Sequence, residues 1–392
     1  MHPRRLRLRT AALLVAALLK AAAGEAKIVF TGYGNFQMTA HQSTRIHGDA
    51  PALAAFKLTE TSAKARGFAL DSVGLFATTN LKENLDFLVD FTYRKIGSTT
   101  GETRIQYAFL EHTPRPDWRY RIGKITLPFG YYNQKRFYSF QRVELSAPIF
   151  QSAILGLPIS DVGATLQKRF ESKAGRVEAD VYAVNGYGAT PADSKKFRSA
   201  TLPGAISLAS NLVPSNNNEN IALGGRLGLA RIAGRDLEAG GSYYGGAWEG
   251  GGTSKLFQMA NGHVHAGVGG LDFLAEYLHL DVLADPGFAA AVGDSHWTTD
   301  GYFMTASYPL WQVRGMPLIP FVSSEGYVTR GVHGGGGQER LQGYRAGLCL
   351  LPLENIRVKL EYGYLKYVLP LVGLGDLKLD SHSALLAMTL AF

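Results

Sequence analysis

The 392-residue chain is poor in cysteine, in long apolar runs and in excess charge. Its one cysteine, Cys349, excludes an intramolecular disulfide framework. After residue 26 no apolar run approaches the roughly 20 residues that a spanning helix needs. Five of the 40 basic residues and one of the 32 acidic residues fall in 1–26, which leaves 35 against 31 in 27–392. So small an excess does not indicate a surface that binds nucleic acid.

Residues 1–26 show the order of features of an export signal. Four arginines within the first nine residues precede an unbroken apolar run, Ala11 to Leu19, and small residues then lead to a cleavage site before Lys27. The apolar run is about half the length of a membrane-spanning helix. We therefore predict a signal peptide over 1–26 and an exported domain over 27–392.

Glycine and aromatic residues are abundant, with 46 glycines and 11% aromatics, and the apolar residues alternate with polar ones. The clearest alternation is at 85–94, and 161–170, 176–183 and 356–364 repeat it with Lys168 as an exception. A period of two is typical of β-strands, whose successive side chains point to opposite faces. The residues expected to face lipid include Phe87, Val89, Val181, Leu360 and Tyr362.

A soluble β-sandwich would also alternate, so the connections decide between the two folds. Sixteen candidate strands can be placed, and the gaps between them are alternately long and short. This alternation is typical of outer-membrane barrels, which have longer loops at one end and tight turns at the other. We predict an all-β fold, a transmembrane antiparallel up-and-down barrel of about sixteen strands. The candidate strands are 27–39, 65–79, 84–95, 104–113, 118–127, 160–171, 175–188, 219–233, 236–249, 255–268, 271–283, 300–312, 317–330, 338–352, 356–369 and 381–392.

The last residues add a separate signal for the bacterial outer membrane. Apolar residues alternate from Ala384 up to a terminal aromatic residue, Phe392. This pattern is similar to the closing strand of outer-membrane proteins, which implies recognition of Phe392 by the barrel-assembly machinery. The expected surroundings are outer-membrane lipid and lipopolysaccharide.

Two short stretches resemble the phosphate-selective porins O and P, namely Arg121 to Gly130 (RIGKITLPFG) and Val184 to Gly188 (VNGYG). The resemblance implies a homotrimeric diffusion channel for small anions or polar solutes, with an arginine track in its lumen. The family's phosphate selectivity is associated with lysines clustered on a central loop. The corresponding gap here, 250–254, is short and has only Lys255 beside it, so phosphate selectivity is not expected.

The connection 128–159 is the candidate constriction loop, because it is the longest gap and is rich in aromatic and basic residues. We expect Lys135, Arg136 and Arg142 to line the constriction, together with Glu144. A surface loop is the alternative. Gly123, just before this loop, is expected to form a bulge that lets Arg119, Arg121 and Lys124 all reach the lumen.

The strand periodicity predicts a lumen with nearly balanced charge, which indicates weak ion selectivity with at most a weak anion preference. The predicted pore-lining basic residues on the strands are Arg94, Arg169, Arg176, Arg226, Arg345, Arg357 and Lys359. The predicted acidic ones are Asp86, Asp90, Asp161, Glu178, Asp180, Glu276 and Glu361.

No pattern indicates a cofactor or a catalytic centre. His263 and His265 share a strand face but have no third ligand nearby in sequence, so no metal site is expected. Cys349 is expected to be a small packed residue. We therefore predict a porin, not an enzyme. Two alternatives stay open, a barrel hydrolase whose catalytic residues converge from separate strands and a structural or adhesive barrel.

Overall fold

The computed structural model describes residues 27–48, 61–62, 68–96, 100–136, 138–148, 160–186, 221–247, 255–283, 295–331, 337–371 and 375–392. The predicted signal peptide and the second part of the predicted loop, 149–159, lie outside these residues. No helix in the described part is long and apolar enough to cross a bilayer.

The described residues form one closed antiparallel sheet. It has sixteen long strands and two short additions, β2 and β14, and it closes because β1 pairs with β3 on one side and with β18 on the other. The strands are β1 (Ile28–Gly48), β2 (Thr61–Ser62), β3 (Phe68–Lys82), β4 (Leu85–Ile96), β5 (Thr100–Arg115), β6 (Trp118–Thr126), β7 (Ser160–Ser172), β8 (Gly175–Val184), β9 (Ala222–Ala230), β10 (Asp236–Ala247), β11 (Leu256–Val268), β12 (Leu271–Leu283), β13 (His296–Ser307), β14 (Trp311–Val313), β15 (Met316–Arg330), β16 (Gln338–Leu353), β17 (Ile356–Leu371) and β18 (Gly375–Ala391).

The predicted barrel is confirmed, and each of the sixteen predicted strands coincides with a long strand. The two largest differences lie at strand ends on the loop side, and smaller ones occur at the turn side, as in β13, which ends at Ser307 and not at 312. β1 continues to Gly48, where the prediction stopped at 39, and β18 begins at Gly375, not at 381. These extensions pair with each other, as in Gly48 with Leu377. Residues 41–48 of β1 contain a single apolar side chain, Ile46, whereas Leu377 and Leu379 of β18 alternate with polar residues and pack against the buried apolar cluster.

Tight turns connect the strands at the opposite end of the barrel. The β11–β12 turn has only Gly269 and Gly270, with φ of 58° and 90°, and two consecutive positive φ values are those of a type I′ hairpin, which favours glycine. Phe392 lies at this end, where its carbonyl accepts a hydrogen bond of 2.7 Å from the Gly32 N–H. The long and short connections therefore separate to opposite ends, as the gap lengths predicted.

The outer surface of the barrel is apolar. Val181, Leu360 and Tyr362 are 57%, 48% and 51% exposed on it, as predicted. Phe87 is half-buried, and the prediction is wrong for Val89, which is fully covered. Val89 pairs across the sheet with Ala77 and Ala108. An apolar outside on a closed barrel fits a bilayer.

The two faces should respond differently to an added charge. We expect Val181→Arg to lower the free energy of unfolding in lipid vesicles by about 2–4 kcal/mol, because the charged side chain would enter hydrocarbon. The matched control is Gln167→Arg, on the neighbouring strand β7, where the new guanidinium would lie in the lumen beside Asp180. Urea titrations of both variants measure the difference. Equal stability would show that the assigned faces are wrong.

Candidate functional site

The chain enters the barrel interior after β6. Residues 127–136 and 138–148, called the lumen segment below, begin near Gly130, whose φ is 68°. The Gly130 N–H donates to Ser242 Oγ of β10 at 2.9 Å, and a Cβ on Gly130 would lie 2.3 Å from Glu276 Oε1. Only glycine allows this close approach in this backbone conformation. The segment therefore starts in contact with β10 and β12, which are four and six strands away from β6 around the barrel.

Glu276 of β12 holds the first part of the segment. Its carboxylate accepts the N–H groups of Tyr131 at 2.7 Å and of Tyr132 at 3.1 Å, just where the short helix α1 (Tyr132–Lys135) begins. The Tyr131 ring stacks on His265 with 4.9 Å between centroids. Farther along, Lys135 pairs with Glu238. These contacts fix the segment to β10, β11 and β12.

The middle of the segment reaches the other side of the barrel. The Tyr138 hydroxyl donates to Asp90 of β4 at 2.5 Å, and Ser139 Oγ lies 3.1 Å from Thr389 Oγ1 of β18. Lys359 of β17 donates through Nζ to the carbonyls of Ser139 at 2.5 Å and of Glu144 at 2.9 Å. Lys359 is fully buried beneath the segment.

Glu361, also on β17, holds the second part of the segment. It accepts the N–H groups of Leu145 at 2.9 Å and of Ser146 at 3.2 Å. Arg345 of β16 donates to the carbonyls of Ser146 and Ala147 at 3.4 and 3.3 Å and also contacts Glu325. Because the strands involved are distributed around the circumference, the segment crosses the lumen.

Arg142 organises the segment from within. Its guanidinium donates to the carbonyls of Glu144 at 3.3 Å, Arg136 at 3.3 Å and Leu145 at 3.0 Å. It also lies 5.5 Å above the Tyr132 ring. Arg142 and Arg136 are each 7% exposed. Both charges are therefore largely withdrawn from water.

Arg136 is held by carboxylates from the segment and from the wall. It contacts Asp272 of β12, and its Nη1 lies 3.8 Å from Glu144 Oε1. Burial alone would lower the pKa of a guanidinium, but Glu144 and Asp272 outweigh it and raise the pKa of Arg136. Glu144 itself is fully buried. Of the predicted basic residues of the loop, only Lys135 keeps a partly exposed side chain.

Four arginines form a cluster on the neighbouring strands β6, β7 and β8. Two of them bind Glu111 through Nε, Arg119 at 3.4 Å and Arg121 at 2.7 Å. The others form ion pairs with Glu178, with Nε–Oε1 distances of 3.3 Å for Arg169 and 3.0 Å for Arg176. In the part of the chain that the structure describes, their terminal Nη atoms make no hydrogen bond. This arginine cluster opposes four positive charges to two carboxylates.

The remaining predicted lumen cations have different surroundings. Arg226 is buried and contacts Glu178, Asp180 and Glu238 at 3.7, 3.7 and 2.6 Å. Arg357 is half-buried and pairs across the sheet with Thr389. The backbone of Arg94 pairs with that of Ser72, and its side chain is not among those described.

The alternation along β6 puts Arg119 and Arg121 on one face and Lys124 on the other, unless the strand bulges between them. The predicted bulge at Gly123 is wrong, since both neighbouring ladders keep their register through it. Gly123 instead has a φ of 131°, and a Cβ there would lie 2.4 Å from the Ala108 carbonyl oxygen. Lys124 donates to the Ile105 carbonyl at 2.6 Å. Glu111 pairs with Arg121 across the sheet and lies on the same face, so its charge was a signal in the sequence that this face is the polar one.

The two histidines belong to the contact between segment and wall. His265 Nε2 lies 2.7 Å from Asp272 Oδ1, and His263 Nε2 lies 3.8 Å from Glu238 Oε1. Among the described residues no group of three or more His, Cys, Asp or Glu side chains could hold a metal ion. Cys349 is buried against Val143 and Phe321.

Comparison with known proteins shows the fold. No protein-family model matches the chain, and no curated protein matches it. Three solved structures that resemble it are outer-membrane proteins. The anion-selective porin from Comamonas acidovorans has a TM-score of 0.55 at 13% identity over 94% of this chain and 100% of that one. OmpF of Salmonella typhi has a TM-score of 0.55 at 12% identity over 93% of this chain and 98% of that one. The trimer form of OmpT of Vibrio cholerae has a TM-score of 0.51 at 11% identity over 94% of this chain and 100% of that one.

These likenesses agree with the geometry. The chain has the fold of an outer-membrane porin, with an apolar exterior and a segment that crosses the lumen between charged side chains and a buried apolar cluster. It is an outer-membrane β-barrel.

Proposed function

We propose that the protein is a porin, a passive diffusion channel for small polar solutes and ions with a weak preference for anions. The single observation that carries this proposal is the position of the lumen segment, which crosses a barrel wide enough to hold water. A segment pinned on several sides narrows the pore without sealing it by a separate domain. We therefore propose that the lumen segment forms the constriction that was predicted for 128–159.

The anion preference is proposed to come from the wall. Arg136 and Arg142, which were expected to line the constriction, are buried and engaged within the segment. The arginine cluster and the ammonium of Lys135 border the space that is left. Four guanidiniums against two carboxylates leave a positive potential, which a low-dielectric throat concentrates. The remaining lumen charges are largely paired, which keeps the preference weak.

Reversal potentials in planar bilayers under a potassium chloride gradient test this proposal. Changing Arg119, Arg121, Arg169 and Arg176 together to glutamine is expected to lower the anion-to-cation permeability ratio about threefold or more, which corresponds to roughly one kT of lost potential. The matched control removes four exposed charges outside the lumen, with Arg115, Arg235, Arg314 and Arg340 changed to glutamine. If both variants keep the wild-type ratio, the arginine cluster does not set selectivity.

We also propose the oligomeric state and the partners of the barrel in the outer membrane. The trimeric state is proposed from the resemblance to porins and from the trimer form of one structural neighbour. Recognition of Phe392 by the barrel-assembly machinery and contact with lipopolysaccharide are proposed from the terminal strand and the fold. Phosphate is not proposed as a specific solute. We propose a channel rather than a hydrolase because the polar side chains facing the lumen segment bind its backbone.

A further inference from the structure

A continuous row of aromatic rings lines the side of the lumen next to the arginine cluster. It runs from Phe109 and Tyr107 of β5 to Phe76 of β3 and then to Tyr138 and Phe140 of the lumen segment. Neighbouring centroids are 5.4 Å apart for Phe109–Tyr107, 6.5 Å for Tyr107–Phe76, 5.1 Å for Phe76–Tyr138 and 5.5 Å for Tyr138–Phe140. These five residues are called the aromatic track.

The aromatic track is not simply a buried anchor for the segment. Tyr33, which packs behind it, is 4% exposed, as expected of a ring whose role is packing. Phe76, Tyr107, Tyr138 and Phe140 are only half-buried. Four adjacent rings that keep exposed surface in a water-filled lumen form an apolar path beside the polar one.

The track and the arginine cluster meet at Phe109. The guanidinium of Arg121 lies 5.3 Å from the centre of the Phe109 ring, and its Nε is bound to Glu111. The nearby carboxylate on the aromatic side, Asp90, is fully buried, and both of its oxygens accept hydrogen bonds, from Thr92 and Tyr138. An anion on this path would therefore meet guanidiniums and ring faces.

We propose that the pore favours aromatic carboxylates over other organic anions. The ring would pass along the aromatic track, where stacked or edge-to-face contacts are available. The carboxylate would at the same time meet guanidiniums, whose paired Nη groups match its two oxygens. This inference rests on the proposed function, since it names the solute class of the same channel.

The test compares benzoate with cyclohexanecarboxylate, which has the same charge and nearly the same size but no aromatic ring. Bi-ionic reversal potentials in planar bilayers give the permeability of each relative to chloride. We expect the wild type to prefer benzoate. Changing Phe76 and Phe140 to leucine should bring the benzoate-to-cyclohexanecarboxylate ratio close to one and leave the chloride-to-potassium ratio unchanged. Phe30→Leu with Phe170→Leu, both on exposed outward rings, is the matched control.

The outcomes separate the two proposals. A wild-type channel that prefers chloride to potassium but passes both carboxylates equally overturns the aromatic inference alone. A channel without any anion preference overturns the proposed function. If the chloride conductance of the double variant rises, its lumen segment has moved, and the wall variant Tyr107→Leu, compared at wild-type chloride conductance, then decides. A wild-type benzoate preference that survives Tyr107→Leu counts against the track.

Discussion

Replacing Arg142 by methionine is expected to raise the single-channel conductance severalfold while the barrel still assembles. The guanidinium donates to three carbonyls of the lumen segment, those of Glu144, Arg136 and Leu145. Its loss leaves these carbonyls without their donor and the buried Glu144 with less positive charge around it. Removing one partner from a buried charged network costs about 3–5 kcal/mol. That cost falls on the segment, because the strand ladders make no use of Arg142.

The measurement is conductance in planar bilayers, with heat-modifiable migration on gels as the check that the barrel has formed. Lys135→Met is the matched control, since it removes a positive charge from the same segment at its partly exposed edge. We expect this control to alter ion preference slightly and to leave conductance near the wild-type value. Wild-type conductance in the Arg142 variant would mean that other contacts suffice to hold the segment.

The barrel was predictable because its signals are local. Alternation in 85–94 or 356–364 follows from one face against lipid and the other against water. The separation of tight turns from longer connections depends only on gap lengths, so errors of a few residues in each strand did not disturb it. The prediction stopped short in β1 because residues 41–48 contain a single apolar side chain, Ile46, so that pairing there leaves no mark on the hydrophobic pattern. In β18 the alternation of Leu377 and Leu379 with polar residues was a signal that the prediction missed.

The candidate site was predictable only in part, because its contacts join residues distant in sequence. Glu276 and Glu361 were expected in the lumen, but their partners Tyr131 and Leu145 lie 145 and 216 residues away. Charge and period give the face of a residue and not its partner. Arg142 therefore looked like a free cation of the constriction, although its surroundings are backbone carbonyls of its own segment.

The arrangement of charges gives the lumen two separate tasks. Buried cations, Arg142 and Lys359, bind carbonyls and shape the segment, whereas the half-buried Arg121 binds Glu111 through Nε and lies over the Phe109 ring. The nearly balanced count of lumen charges does not distinguish these two groups of cations. The selectivity of the pore should follow the second group, since only charges that border water act on a passing ion.

The second large effect is expected from the two carboxylates that suspend the lumen segment. Glu276 and Glu361 lie on β12 and β17 and each accepts two consecutive backbone N–H groups, one near each end of the segment. A hydrogen bond to a charged group contributes about 1.5–3 kcal/mol. Glu276→Ala and Glu361→Ala alone should each leave conductance near the wild-type value with more open-channel noise. The double change should raise conductance as far as Arg142→Met.

This result would be strongly non-additive, because a segment held at either end still crosses the lumen and only one released at both ends can move to the wall. A double-mutant cycle on single-channel conductance measures the coupling. Glu339→Ala is the control, since Glu339 is an equally buried carboxylate that accepts a hydrogen bond from Tyr327 on the neighbouring strand. If either single change already gives the full increase in conductance, one carboxylate alone is not sufficient to hold the segment across the lumen. If the double change has no effect, the segment is held chiefly by Arg345, Lys359 and the aromatic contacts.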